Sequence, residues 1–87
     1  MGLKNEATSL RSDISYIAER VTMVKGGVMR TDVTGHDDEF GDMFDPAKTD
    51  KGEVLANLTL AFRHLEDARM RLGKAIQASE GGVSPLP

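Results

Sequence analysis

Between Asn57 and Lys74 the chain carries an amide, an imidazole and four cationic side chains: Asn57, His64, Arg63, Arg69, Arg71 and Lys74. Guanidinium groups donate in planar forks that match phosphate oxygens two at a time, so this donor density suits a compact anion with two or three phosphates. At helical spacing Asn57, His64, Arg71 and Lys74 fall on or near one side, with Arg63 beside them and Arg69 flanking an apolar seam. Glu66 and Asp67 are interleaved, and the pattern also reads as ion pairing within the helix or between subunits, Arg63 with Asp67 for instance.

Other chemistry is sparse. There is no cysteine, and the serines lie outside any nucleophile elbow. His36-Asp37-Asp38-Glu39, with Asp42 and Asp45 nearby, has metal-ligand residue types but neither the spacing nor the central glycine of a calcium loop, and reads as a solvated acidic loop. No glycine-rich phosphate loop follows a strand. No catalytic residue, metal ligand or cofactor is assigned, and binding without turnover is the expectation.

The basic residues sit on an amphipathic rod. Val54, Leu58, Ala61, Leu65, Ala68, Leu72 and Ala75 alternate steps of four and three, which aligns them on one face of a helix. Asp50 and Glu53 have the spacing of a capping box, and Gly81-Gly82 ends the rod at about residue 79. Val83 to Pro87 form a tail whose prolines cannot continue a helix. Upstream, Leu3, Ala7, Leu10, Ile14, Ile17, Val21 and Val24 repeat the alternation over the same length. Gly26-Gly27 supplies its stop, giving a first helix of about 3–25 with Arg11, Asp13, Glu19 and Arg20 off the seam.

The connection, about 26–49, loses the helical period and is rich in Asp and Gly. Val28 to Thr34 reads as a short extended segment. Phe40, Met43 and Phe44 are spaced for one helical turn that acts as a lid against the hairpin or another subunit, or simply anchors the loop.

The fold class is therefore all-α: one domain over 1–87, an antiparallel helical hairpin with a long inter-helix loop. Eighty-seven residues bury too little surface for a strong core of their own. Two helices alone cover only one stripe each, and Leu55, Leu60, Phe62, Met70 and Ile76 lie off the seam as an apolar surface. With no disulfides available, a homo-oligomer of hairpins is the expected remedy; loop 28–48 folding over that surface is the alternative. A formal charge of −3 argues against general DNA binding, no apolar run reaches a membrane span, and the lack of cysteine fits a cytoplasmic setting.

From Asn57 through Arg63-His64-Leu65-Glu66-Asp67-Ala68-Arg69-Met70-Arg71-Leu72-Gly73-Lys74 to Ala78, followed by Gly81-Gly82-Val83-Ser84, the chain resembles phage proteins of the anti-CBASS and anti-Thoeris helical-hairpin family. The overlap covers the last third to two-fifths of the chain, and the first helix matches in type only. The resemblance implies a cytosolic sponge, typically a hexamer, that sequesters cyclic ADP-ribose isomers, cyclic dinucleotides or cyclic trinucleotides without cleaving them. It makes Arg63 and Arg69 or Arg71 candidates for phosphate contacts, places Phe62 near a base, and has Gly81, Gly82 and Ser84 close over ligand through backbone N–H groups. Tyr16 stacks on a base from the first helix under this reading, or else lies at a subunit contact. The pattern of Asn57 with Arg63-His64 is closer to the anti-Thoeris branch, although Ala56-Asn57 departs from the Arg-Glu opening of the shorter anti-CBASS members. The alternative function is a structural or regulatory phage protein acting only through protein contacts.

Overall fold

A computed structural model describes residues 2–81. Two long helices, α1 (Leu3–Arg30) and α2 (Lys51–Ser79), are joined by a connection holding two short strands, β1 (His36–Asp37) and β2 (Gly41–Asp42). The helices run antiparallel: Lys4 of α1 meets Glu80 at 3.0 Å, Arg69 of α2 reaches Ser15 at 3.3 Å, and the Lys51 ammonium reaches the Met29 carbonyl at 3.4 Å.

The face α1 turns to α2 is not the stripe with the largest apolar residues. Ala7, Ala18 and Val28 are buried, and Arg11, Ile14, Val21 and Lys25 are half-buried. These seven also alternate steps of four and three, so the true seam shares Ala7, Ile14 and Val21 with the expected one and rotates to one side of it. Leu3, Leu10, Ile17 and Val24, seven residues apart, are left 56%, 48%, 45% and 38% exposed. Small alanines let the backbones approach, and the long Arg11 and Lys25 side chains can lay their aliphatic stems along the contact. On α2 the expected seam is half-buried except for Ala68, which is exposed. Leu55, Phe62 and Ile76, expected outside, are half-buried too, so only Leu60 and Met70 of that off-seam set are exposed.

Gly26-Gly27 does not stop α1, which runs on to Arg30, and neither glycine has a positive φ. The role of Gly27 is steric: a Cβ there would lie 2.8 Å from Cδ2 of Phe40 and 3.4 Å from Cε of Met43. The missing side chain is the seat for the aromatic ring, and packing offsets the poor helix propensity of glycine. The expected extended segment is absent, because Val28 to Arg30 complete the helix. Thr31 ends it, its Oγ1 donating to the Val28 carbonyl at 2.7 Å. Lys51 brings a positive charge to the last carbonyls of α1, favourable at a helix C-terminus.

Phe40, Met43 and Phe44 form no helical turn. They belong to a hairpin pairing His36 with Asp42 and Asp37 with Gly41, which packs on the last turn of α1. Gly35 and Gly41 take φ of 78° and 76° in its turns. A Cβ on Gly35 would also lie 2.0 Å from the Phe44 carbonyl oxygen. This clasp covers Gly27 and Val28 and leaves the Leu3, Leu10 and Ile17 stripe of α1 exposed, as are Leu60 and Met70 of α2.

Asp50 caps α2, accepting from the Glu53 backbone N–H at 3.1 Å. The Glu53 carboxylate takes the Asn57 amide at 3.0 Å, so of the expected box the Asp50 half is made. Gly81, at φ 76°, donates to the Ala78 carbonyl and terminates the helix where the sequence places the stop.

Two glycine substitutions test this packing in opposite directions. Gly73→Ala meets only ordinary contact, 3.5 Å from the guanidinium carbon of Arg11, and should gain about 1 kcal/mol of helix propensity. Gly27→Ala gains the same propensity but must expel the Phe40 ring, so thermal denaturation should show a raised melting temperature for the first and a lowered one for the second.

Candidate functional site

The acidic connection is built from aspartates that fold it. Asp32 Oδ1 accepts from the backbone N–H and hydroxyl of Thr34 and from the His36 backbone N–H, at 2.8, 2.6 and 3.2 Å. Asp45 Oδ1 accepts from the Ala47 N–H at 3.0 Å. Asp37, 2% exposed, accepts from the backbone N–H groups of Glu39 and Phe40 through Oδ2 and from Arg30 Nε through Oδ1. Arg30 also reaches Glu39 at 3.2 Å. His36, Asp38, Glu39, Asp42 and Asp45 are exposed, as expected of a solvated acidic loop, and Asp37 alone of that set is buried. Among the described residues no group of three or more His, Asp or Glu is placed to hold a metal ion.

Burial pushes the Asp37 carboxyl up, but the Phe40 N–H, Arg30 and the Glu39 N–H outweigh it and hold it below its ordinary value of 3.8. Hydrogen bonds from Thr34 lower Asp32 likewise.

Apart from Arg69, the polar and cationic residues singled out on α2 lie within about 120° of one another around the helix and are spread along its length. At about 100° per residue, Asn57, His64 and Arg71 line one flank, while Arg63 and Lys74 point to the side away from α1. Only Arg69 turns into the interhelical groove, its Nη1 donating to Ser15 Oγ. All of these except Lys74, which is half-buried, are exposed. Asn57 is engaged within its own helix by the Glu53 carbonyl at 2.8 Å and the Glu53 carboxylate. Phe62 is half-buried and lies on the α1 side of α2, where a base would have to displace packing. Tyr16, 62% exposed, lies on the far side of α1 with the Arg20 guanidinium 5.9 Å above its ring. One chain cannot bring Tyr16 and Arg63 to the same ligand. Gly81 is exposed beyond the end of α2, and Gly82 and Ser84 lie outside the described residues.

The anticipated pairing of Arg63 with Asp67 is not made. Ion pairs among the described residues join Lys4 to Glu80, Arg30 to Asp37 and Glu39, and His36 to Asp42. Arg11, Arg63, Arg69 and Arg71 have no carboxylate within 4.0 Å there.

A shallow depression of about 520 Å³ lies at the start of α2, lined by Lys48, Thr49, Asp50, Glu53, Val54, Asn57 and Leu58. Two carboxylates against one ammonium make it a poor seat for a polyanion. The residue that sequence reasoning placed wrongly is Arg11, read as an off-seam surface charge. It lies against Gly73 with its Nε buried and without a hydrogen-bond partner. The available signal was the second four-three run through Ala7, Arg11, Ile14 and Ala18, hidden because a charged residue interrupts it.

The chain matches no protein-family model, none of the curated proteins and no solved structure. No helix among the described residues is long and apolar enough to cross a membrane.

The lowered carboxyls give the clasp a pH signature. A group whose folded pKa is depressed contributes stability above its unfolded pKa and loses it as pH falls through the folded value. Protection of the Phe40 amide against hydrogen exchange, corrected for the intrinsic pH dependence of exchange, should hold from neutrality down to about pH 4 and fall below it. Asp37→Asn should flatten that dependence.

Proposed function

We propose that this chain self-associates through the uncovered flank of α1 and that the assembly binds cyclic nucleotide immune signals without cleaving them. The supporting observation is a juxtaposition. An apolar stripe at seven-residue spacing, Leu3, Leu10, Ile17 and Val24, lies open on a hairpin whose second helix carries three arginines without carboxylate partners among the described residues. Fully burying a Leu or Ile contributes about 1.5–3 kcal/mol, so covering the roughly half-exposed stripe contributes about 1 kcal/mol per residue.

Arginines dispersed over a flank and an outer face become a shared site when copies of α2 meet, each copy supplying part of a donor set. A cyclic ADP-ribose isomer, a cyclic dinucleotide or a cyclic trinucleotide offers compact phosphate charge beside purine faces. Arg63 and Arg71 would neutralise phosphate, and Tyr16 would stack on a base only from a neighbouring copy. The resemblance of α2 to the anti-CBASS and anti-Thoeris hairpins supports the same reading, in a cytoplasmic sponge that is hexameric by that likeness. The protein-contact-only alternative is favoured by the same apolar stripe and differs in predicting no ligand.

Native mass measurement followed by calorimetric titration against the three ligand classes separates the two. A multimer that takes up one class is the expected result, and the absence of heat with every class leaves the contact-only reading. Ile17→Glu should shift the mass to that of a monomer. Arg63→Ala should keep the assembly and weaken binding at least tenfold, about 1.4 kcal/mol.

A further inference from the structure

The hairpin has two lateral grooves of opposite character. One is bordered by Leu10 and Ile17; the other by Arg11 and Ser15 of α1 and Arg69 and Gly73 of α2. We infer that this second groove is a binding site for a phosphate group, held by Arg11 and Arg69 together with the Ser15 hydroxyl.

Arg11 is fixed before any ligand arrives. The Arg11 side chain lies against α2 at Gly73, its guanidinium carbon 3.5 Å from where a Cβ would stand. Its Nε is sealed from water without a partner, while its terminal nitrogens are not buried and make no hydrogen bond among the described residues. Arg69, one turn before Gly73, enters the same groove from the other helix and donates through Nη1 to Ser15, one turn after Arg11. Each guanidinium therefore reaches across to the opposite helix, Arg11 to Gly73 and Arg69 to Ser15.

Among the described residues no carboxylate lies within 4.0 Å of either guanidinium. Glu66, three residues before Arg69, is exposed and makes no ion pair within 4.0 Å among the described residues, and Glu80 is held by Lys4 at 3.0 Å. Both guanidinium groups bring positive charge to the same groove, and an anion there would be attracted by each. The donors arrive from both helices in three groups, and a tetrahedral oxyanion has enough acceptor oxygens for all three. A carboxylate, with two oxygens in one plane, fits the set less well. The ligand class is thus a phosphate ester or pyrophosphate unit.

This proposal shares with the sequestration reading only the class of ligand, and the two are tested apart. Inorganic pyrophosphate is titrated at low salt into the full chain while the arginine Nε–Hε signals are followed by NMR. The expected result is a common saturable shift of Arg11 and Arg69, with Arg63 and Arg71 moving at least tenfold less. Arg11→Gln and Arg69→Gln should each weaken the interaction at least tenfold, and Arg11→Lys, which keeps the charge without the fork, should recover only part of it. Equal, unsaturable movement of every arginine, or wild-type affinity in Arg11→Gln, would overturn the site. If Arg11→Gln loses helicity by circular dichroism, the wild-type arginine signals decide alone. Pyrophosphate bound at Arg11 and Arg69 without uptake of any cyclic nucleotide keeps the groove site and removes the sequestration reading. Cyclic nucleotide binding that Arg11→Gln leaves unchanged, with no saturable pyrophosphate shift at Arg11 and Arg69, does the reverse.

Discussion

Two antiparallel helices can cover only one stripe of each other, and every other feature of this protein follows from that constraint. Among the described residues the buried apolar side chains are Ala7, Ala18 and Val28, and α2 has none. Close backbone approach along an alanine-lined seam gives contact over a long distance but little depth. A core this thin leaves much of the remaining stability to contacts at the helix ends.

The two ends are secured unequally. At the closed end, Lys51 holds the last carbonyls of α1, Thr31 caps it, and the β-hairpin clasps its final turn through Phe40 on Gly27 and Arg30 on the buried Asp37. At the open end, Lys4 pairs with Glu80, both substantially exposed, and such a pair contributes little. The groove between Arg11 and Arg69 lies in the half of the hairpin away from the clasp.

The distribution of residue types around the pair separates two kinds of contact. Apolar residues at seven-residue spacing flank one side of the seam, and guanidinium and hydroxyl groups border the other. The proposed association through the first side and the proposed anion site in the second would not compete for the same surface. Asp32, Asp37 and Asp45 spend their oxygens on the turns of the connection, so the acidity of the chain is concentrated away from the groove.

The sequence by itself determined that there are two helices of matched length, that Asp50 starts the second and Gly81 ends it, because periodicity, capping and positive φ are local properties. It left the seam of α1 undecided. Two four-three runs share Ala7, Ile14 and Val21, and hydrophobicity favours the one with Leu3, Leu10 and Ile17, whereas close packing against α2 selects the one with Ala18, Arg11 and Lys25. Gly27 reads locally as a helix stop; only Phe40, thirteen residues on, reveals it as a contact. Likewise Asp37 is one acidic residue among several until the chain folds back and buries it beneath Arg30. Tertiary structure decided which helix face meets which, and with it the placing of Arg11 beside Arg69, because that choice depends on shape across two segments and not on the character of either.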